Sequence, residues 1–213
     1  MKNKSLYNKF DKNTLLKRLN NETSSRTTFS FYKYILITDT QEFRDHLYKL
    51  LSKLNVLGRI YVAEEGINAQ ISVPNTNVKL FKSSIKNLNG FSKITFRTAV
   101  QEHGDFSFYK LTVKVKHQIV ADGLNDGDIN MKNIGQFLKP KEFHKALEKK
   151  ETVVLDVRND YESEIGHFKN AILPKTKTHR EYLKEVTSLL KNHKNDDILL
   201  YCTGGIRCEK TSA

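Results

Sequence analysis

The chain has little of what would suit a secreted or membrane-embedded protein. Only two cysteines occur in 213 residues, Cys202 and Cys208. Two thiols this close in one loop cannot cross-link a small extracellular scaffold, so reduced side chains are expected. They form no Cys-x2-Cys knuckle and no His-x3-His pair accompanies them, so no metal site is expected. The first 25 residues carry Lys2, Lys4, Lys9, Lys12, Lys17 and Arg18 but no apolar run long enough for a signal peptide. No later stretch approaches membrane-spanning length. The expected location is cytoplasmic, with no membrane and no stable protein partner. Internal repeats and low-complexity tracts are also missing, which leaves an ordinary globular chain.

What is present fits that class. With 38% hydrophobic and 28% charged residues, the chain has room for one large domain or two small ones. The formal charge of +12 suits a polyanion such as nucleic acid. Against that, 28 of the 36 basic residues are Lys and only 8 are Arg, a bias that composition alone can produce.

Periodicity separates two halves. Thr27 to Ile37 alternates, with Phe29, Phe31, Lys33, Ile35 and Ile37 on one side, and reads as a strand. Asp39 and Glu42 resemble a capping box, and Phe43, Leu47, Leu50, Leu51 and Leu54 then recur at helical spacing. Arg59 to Ala63 and Ile67 to Val73 read as a hairpin joined by Glu64-Glu65-Gly66, the glycine supplying positive φ. Val78, Phe81, Ile85 and Leu88 mark a second helix, and Ile94 to Thr98 and Phe108 to Val115 two further strands. The order β-α-β-β-α-β with an added strand predicts a ferredoxin-like α+β sandwich. In the last strand Leu111, Val113 and Val115 face one way and Lys110, Lys114 and Lys116 the other. Beside Tyr32 and Tyr34 on a helix-free sheet face, these lysines are candidate RNA contacts; the plainer reading is a solvated strand.

Asp122-Gly123 and Asp126-Gly127 mark a turn-rich connection. Beyond it, 152–157 and 197–201 are continuous apolar runs of the kind found in buried parallel strands. With candidate helices over 141–150 and 180–193, this half predicts an α/β domain. Tyr201 ends its strand, two glycines follow, and Glu209-Lys210 open a helix. The loop Cys202-Thr203-Gly204-Gly205-Ile206-Arg207 would therefore turn backbone N–H groups onto the Cys202 sulfur and lower its pKa. Cys202 is the candidate catalytic nucleophile, with Thr203, Gly204, Gly205, Ile206 and Arg207 its anion or persulfide cradle. A Cβ at Gly204 or Gly205 is expected to obstruct approach to the sulfur, and Arg207 to add positive charge. Cys208 is either a resolving thiol or a helix-facing spectator. Four residues separate Cys202 from Arg207, one short of the cysteine-phosphatase loop, so the cradle suits a single sulfur better than a phosphate.

Leu155-Asp156-Val157-Arg158-Asn159-Asp160-Tyr161-Glu162, Gly166-His167-Phe168-Lys169-Asn170-Ala171 and the Cys202 loop resemble the three signatures of a rhodanese domain. In that family the cysteine matching Cys202 carries a persulfide. Asp156, Arg158, Glu162 and His167 are expected to order the strand ends by charge-assisted hydrogen bonds. Together with the stretches 26–34, 63–74, 119–123 and 201–210, the chain resembles the bacterial rhodanese-domain tRNA uridine hydroxylases, the TrhO family. The expected organisation is an N-terminal basic helical extension over 1–25, a ferredoxin-like, acylphosphatase-like domain over 26–121, a linker over 122–139 and a rhodanese domain over 140–213, the resemblance running from about Arg26 onward. The resemblance implies oxygen-dependent conversion of the wobble uridine of tRNA to 5-hydroxyuridine, with molecular oxygen as co-substrate, no other evident cofactor, and Cys202 essential. It also implies a chain cut short at Ala213, with an incomplete parallel sheet and exposed apolar surface. A generic sulfurtransferase using a Cys202 persulfide and a non-catalytic RNA-binding remnant are the alternatives. The Glu64-Glu65-Gly66-Ile67-Asn68 hairpin either contacts a base or positions a proton, or is a tip shaped by Gly66.

Overall fold

The computed structural model describes residues 6–102, 106–124, 129–149 and 151–213. The chain divides into two compact units, Met1–Ile119 and Val120–Ala213. Asp126-Gly127 and Lys150 lie outside the described residues.

The first unit begins with helix α1 (Lys12–Asn20), whose N-cap Asp11 accepts the Thr14 N–H. Strand β1 (Arg26–Tyr34) follows, then helix α2 (Thr40–Lys53), capped by the Asp39 carboxylate on the Glu42 N–H at 2.8 Å. The alternation of β1 was read three residues too far. Ile35 and Ile37 lie past its end and instead donate to the Glu65 and Glu64 carbonyls of the next turn. Strands β2 (Leu57–Ala63) and β3 (Gly66–Pro74) form an antiparallel hairpin with Ala63 opposite Gly66. At Gly66 φ is +144°, and a Cβ would sit 2.0 Å from the Lys33 carbonyl oxygen, so only glycine lets β3 start beside β1. Helix α3 (Val78–Lys86) and strands β4 (Arg97–Glu102) and β5 (Leu111–Val115) complete the unit. Both late strands start further along than their apolar residues suggested. Ile94 is buried but sits in a turn bonded to Phe91, and Lys110 precedes β5.

The sheet order is β4-β1-β3-β2-β5. Antiparallel β3 lies between β1 and β2, the split βαβ arrangement of a ferredoxin-like sandwich, and β5 adds to the β2 edge in parallel. Register assigns the faces. Phe31, Ala69, Ile60 and Val113 are successive cross-strand partners, and all four are buried in one core with Leu47 and Leu51 of α2 and Phe81 and Ile85 of α3. Each such side chain contributes about 1.5–3 kcal/mol through removal from water. The adjacent row, Tyr32, Asn68, Tyr61 and Lys114, points to the opposite face of the sheet. Val115, expected in the core, is exposed.

The second unit contains helix α4 (Pro140–Leu147), strand β6 (Val153–Asp156), helix α5 (Asp160–Ile165), helix α6 (His179–Leu189), strand β7 (Ile198–Tyr201) and helix α7 (Ile206–Ser212). Strands β6 and β7 pair in parallel from Val153↔Ile198 to Asp156↔Tyr201, as their continuous apolar runs predicted, and Leu155 makes a further parallel bridge to Ile172. The apolar cluster is small: Leu155, Val157, Tyr182 and Val186 form its buried centre. Strand β7 is only half covered, with Leu199 buried but Leu200 and Tyr201 partly exposed. Phe137 and Ile165 are exposed. Asp122 is tied to Lys210 by a fully buried ion pair at 2.6 Å, so the connection after Ile119 starts inside the second unit.

Candidate active site

Strand β7 ends at Tyr201, and the next four residues turn back on themselves before α7. The turn closes at Gly205, which caps α7 with φ +87° and ψ −26°, a left-handed conformation that side chains resist. In that conformation the Gly205 N–H donates to the Cys202 sulfur at 3.0 Å. Gly204 behaves differently. A Cβ built there meets nothing within 4 Å, so the expectation that bulk at this position crowds the site is not met. Thr203 turns its hydroxyl outward to Glu162 at 2.7 Å, and Ile206 forms the half-buried first residue of α7.

The Cys202 thiol is drawn down from its ordinary value of 9.0 to about 5. The main cause is the Cys208 thiol, which hydrogen-bonds to the Cys202 sulfur. Burial opposes the shift, while the Cys208 N–H, the Arg207 charge and the Gly205 N–H add to it. Cys208 is pushed strongly upward by the same bond and by burial, so it keeps its proton. The two sulfurs thus form one thiolate–thiol pair, a relation that spacing alone left open.

Arg207 is less free than its position in the loop suggested. Its guanidinium forks onto Glu162 at 2.5 and 2.9 Å, a bidentate geometry of the strong kind. Burial would raise the Glu162 carboxyl, but the bonds from Arg207 and Thr203 hold it at about 2. Glu162 is positioned by the first turn of α5, where it reaches back to the Asn159 N–H. This residue therefore fixes both Thr203 and Arg207, a larger part than ordering a strand end.

Below the loop, Asp156 is fully buried at the end of β6. Arg158 clamps it with bonds of 2.7 to 3.2 Å and also reaches the Gly166 carbonyl at 2.6 Å. The Tyr201 hydroxyl donates to Asp156 at 2.7 Å, and burial together with that bond pushes its pKa up to about 12. His167 bonds the Ser163 carbonyl at 2.9 Å. Behind the cysteines, Tyr182 and His179 stack with centroids 5.4 Å apart. The Tyr182 hydroxyl and both His179 ring nitrogens are buried without a hydrogen-bond partner among the described residues. Burial lowers His179 from 6.5 to about 4. Neither residue was singled out from sequence, since each looks like one more member of an amphipathic helix.

In the first unit, the five candidate RNA-contacting residues are only partly brought together. Tyr32 and Tyr34 lie edge to face, with centroids 6.1 Å apart, and Lys114 shares the row of Tyr32 across the face opposite the core. Lys116, just past β5, lies 5.7 Å above the Tyr61 ring. Arg97 on β4 lies 5.4 Å above the Tyr32 ring. Tyr61 and Arg97 escaped the sequence reading because the strand registers that place them opposite Lys114 and Ser30 are not visible in a single strand. Lys110 and Lys114 both line a cavity of about 340 Å³ together with Tyr7, Asn8, Arg44 and Tyr48.

Comparison with known proteins accounts for both units. The model described as UPF0176 acylphosphatase like domain matches residues 26–119, and that of the Rhodanese-like domain matches 139–213. Relatives named tRNA uridine(34) hydroxylase align over nearly the whole chain. The protein from Leptospira interrogans serovar Lai is 50% identical over 100% of this chain and 58% of its own length. That from Enterobacter sp. strain 638 is 44% identical over 98% and 60%, and that from Buchnera aphidicola is 46% identical over 98% and 64%. The chain is similar to these proteins across both of its units. It spans 58% to 64% of the length of these curated relatives.

The Glu64–Asn68 hairpin has a contact that neither sequence reading anticipated. The Glu65 carboxylate accepts the Ile119 N–H at 2.6 Å, and the Asn68 amide donates to the Ile119 carbonyl at 3.1 Å. Both polar groups of one backbone residue are gripped by one hairpin. Ile119 is the last residue of the first unit, so the pair pins the point at which that unit ends.

Proposed function

We propose that the protein takes part in oxygen-dependent hydroxylation of the wobble uridine of tRNA to 5-hydroxyuridine, working in the cytoplasm with Cys202 as its essential residue. The reading is carried by the similarity to proteins named tRNA uridine(34) hydroxylase, over both units of the chain. The thiolate–thiol pair in the loop supports it chemically, because a sulfur anion at neutral pH is a nucleophile and an electron donor. The sheet face opposite the core supports tRNA as the substrate. Exposed Lys114 and Lys116 suit phosphates, while Tyr32 beneath Arg97 and Tyr61 beneath Lys116 offer rings on which unpaired bases can stack.

The test is nucleoside mass spectrometry of tRNA from cells lacking the gene. 5-Hydroxyuridine and nucleosides built on it should disappear and return with the wild-type gene but not with Cys202→Ser. Unchanged nucleosides would remove the proposal. A second reading, sulfur transfer through a Cys202 persulfide, is favoured by the rhodanese match and by a cradle sized for one sulfur. Thiosulfate-to-cyanide transfer that is rapid, dependent on Cys202 and indifferent to tRNA would select it.

A further inference from the structure

We propose that Gln70 reads the edge of one unpaired nucleotide of the tRNA, through a side-chain amide that Asn68 and the Ile119 backbone hold in one orientation. The inference rests on the proposed function. It adds a specificity-determining residue and the class of RNA that the sheet face takes, a single-stranded loop rather than a duplex.

The orientation follows from a chain of hydrogen bonds. The Ile119 carbonyl can only accept, so Asn68 turns its Nδ2 towards it, at 3.1 Å. That leaves the Asn68 Oδ1 on the other side, where it accepts from the Gln70 Nε2 at 3.0 Å. Ile119 is buried, and its N–H is held by the Glu65 carboxylate at 2.6 Å, so the anchor of the chain is fixed at both of its polar groups. Gln70, at the other end, is exposed, and among the described residues nothing donates to its Oε1. The amide therefore offers one acceptor and one remaining N–H donor side by side, the pattern with which a glutamine takes a base edge in two hydrogen bonds. An exposed glutamine ordinarily loses rotamer freedom on binding, and this one has already given it up.

The surroundings fit an RNA strand. Arg97, Ser30, Gln70, Arg59 and Thr112 are successive cross-strand partners, and strand alternation puts them on the same face as the row of Tyr32, Asn68, Tyr61 and Lys114. The two rows hold three cations, Arg97, Arg59 and Lys114, and no carboxylate, which suits a polyanion. Tyr32 and Tyr61 both lie opposite Asn68 and are thus diagonal neighbours of Gln70, about 7–8 Å away across the ladder. A base stacked on either ring brings its edge to the amide. In an A-form duplex the base faces are covered and the major groove is too narrow for side chains to read, so this arrangement selects unpaired nucleotides.

The test is fluorescence anisotropy of the purified protein, at constant salt, with labelled hairpins of anticodon stem–loop sequence varied one loop position at a time, and with a duplex of equal length. The wild type should bind the hairpins more tightly than the duplex and prefer one base at one loop position by about tenfold. Gln70→Leu should reduce that preference to about twofold or less while leaving the salt dependence unchanged. Gln70→Glu, which can only accept, should turn the preference at the same position towards cytosine or adenine, whose amino groups donate. A merely structural role would not change which base is chosen. Asn68→Ala, which releases the amide, should weaken the preference without redirecting it, and Lys114→Ala should weaken all hairpins alike and lower the salt slope.

A preference that survives in both Gln70 variants overturns the proposal, as does a wild type that binds every loop alike or binds the duplex as well as the hairpins. None of these results touches the functional reading if tRNA from cells lacking the gene has lost 5-hydroxyuridine. Unchanged nucleosides in those cells remove the functional reading and this inference with it.

Discussion

In the first unit the least exposed side chains are mainly apolar, from Phe29 and Phe31 on β1 to Leu47, Phe81 and Ile85 on the helices, whereas the second unit also encloses Asp122, Asp156, His179 and Lys210. The first unit does bury two arginines, each held by several partners. Arg26 is paired with Glu22 and bonded to Ser72 and the Asn55 carbonyl, and Arg44 reaches the Val113 and Leu6 carbonyls. The contrast shows two ways of specifying a structure. Apolar packing is insensitive to pH and tolerant of small rearrangements. A charged lattice such as Asp156–Arg158, Glu162–Arg207 and Asp122–Lys210 fixes a loop sharply but makes it depend on every partner and on protonation.

Single substitutions can break this contrast. Phe81→Ala should destabilise the first unit by about 3–5 kcal/mol, through lost burial and a residual cavity, and urea unfolding should show the same loss at pH 5 and pH 8. In the second unit, Asp122→Asn leaves the Lys210 ammonium buried without its counter-charge and should cost about 3 kcal/mol in the same urea unfolding. A negligible loss would show that the charge is not what matters. Glu162→Gln should cost about 1–3 kcal/mol, but its clearer readout is the loop. With Arg207 and Thr203 released, the reactivity of Cys202 should change while the unfolding of the first unit does not.

The smallest effect is a pH dependence. His179 has a folded-state pKa of about 4 against 6.5 ordinarily, so the unfolded chain binds its proton first. The stabilisation is complete above pH 6.5 and is lost as the pH falls towards 4. Glu162, held at about 2 against 4.5, contributes stability above pH 4.5 that is lost on further acidification. Hydrogen exchange should therefore show the second unit loosening between pH 6.5 and 4 while the first stays protected, and His179→Phe should flatten that slope.

Much of the architecture could be read from period alone. The stripe Leu47, Leu51, Leu54 and the alternation of Phe29 and Phe31 identified their elements because each side chain's environment depends on its own neighbours in sequence. Strand ends were less legible. Ile35, Ile37 and Ile94 are apolar and interior yet lie outside strands, held by turns that burial patterns do not distinguish from ladders. The loop from Cys202 to Arg207 was visible as a unit, but not which contact dominates inside it. Cys208 facing Cys202, Glu162 drawing Arg207 aside and Glu65 gripping Ile119 are relations between residues whose separation in sequence carries no period. The helix α5 that carries Glu162 is six residues long, too short to show an amphipathic repeat.

The account as a whole depends on a sulfur anion at Cys202 held by the Cys208 thiol, and its most direct test is the rate of iodoacetamide alkylation of Cys202 as a function of pH, read by mass spectrometry of the tryptic peptide. The rate should rise with a midpoint of about 5, stay level from pH 7 to 9, and move its midpoint upward in Cys208→Ala. A midpoint near the ordinary thiol value of 9.0 in the folded wild-type protein, unchanged by Cys208→Ala, would contradict it.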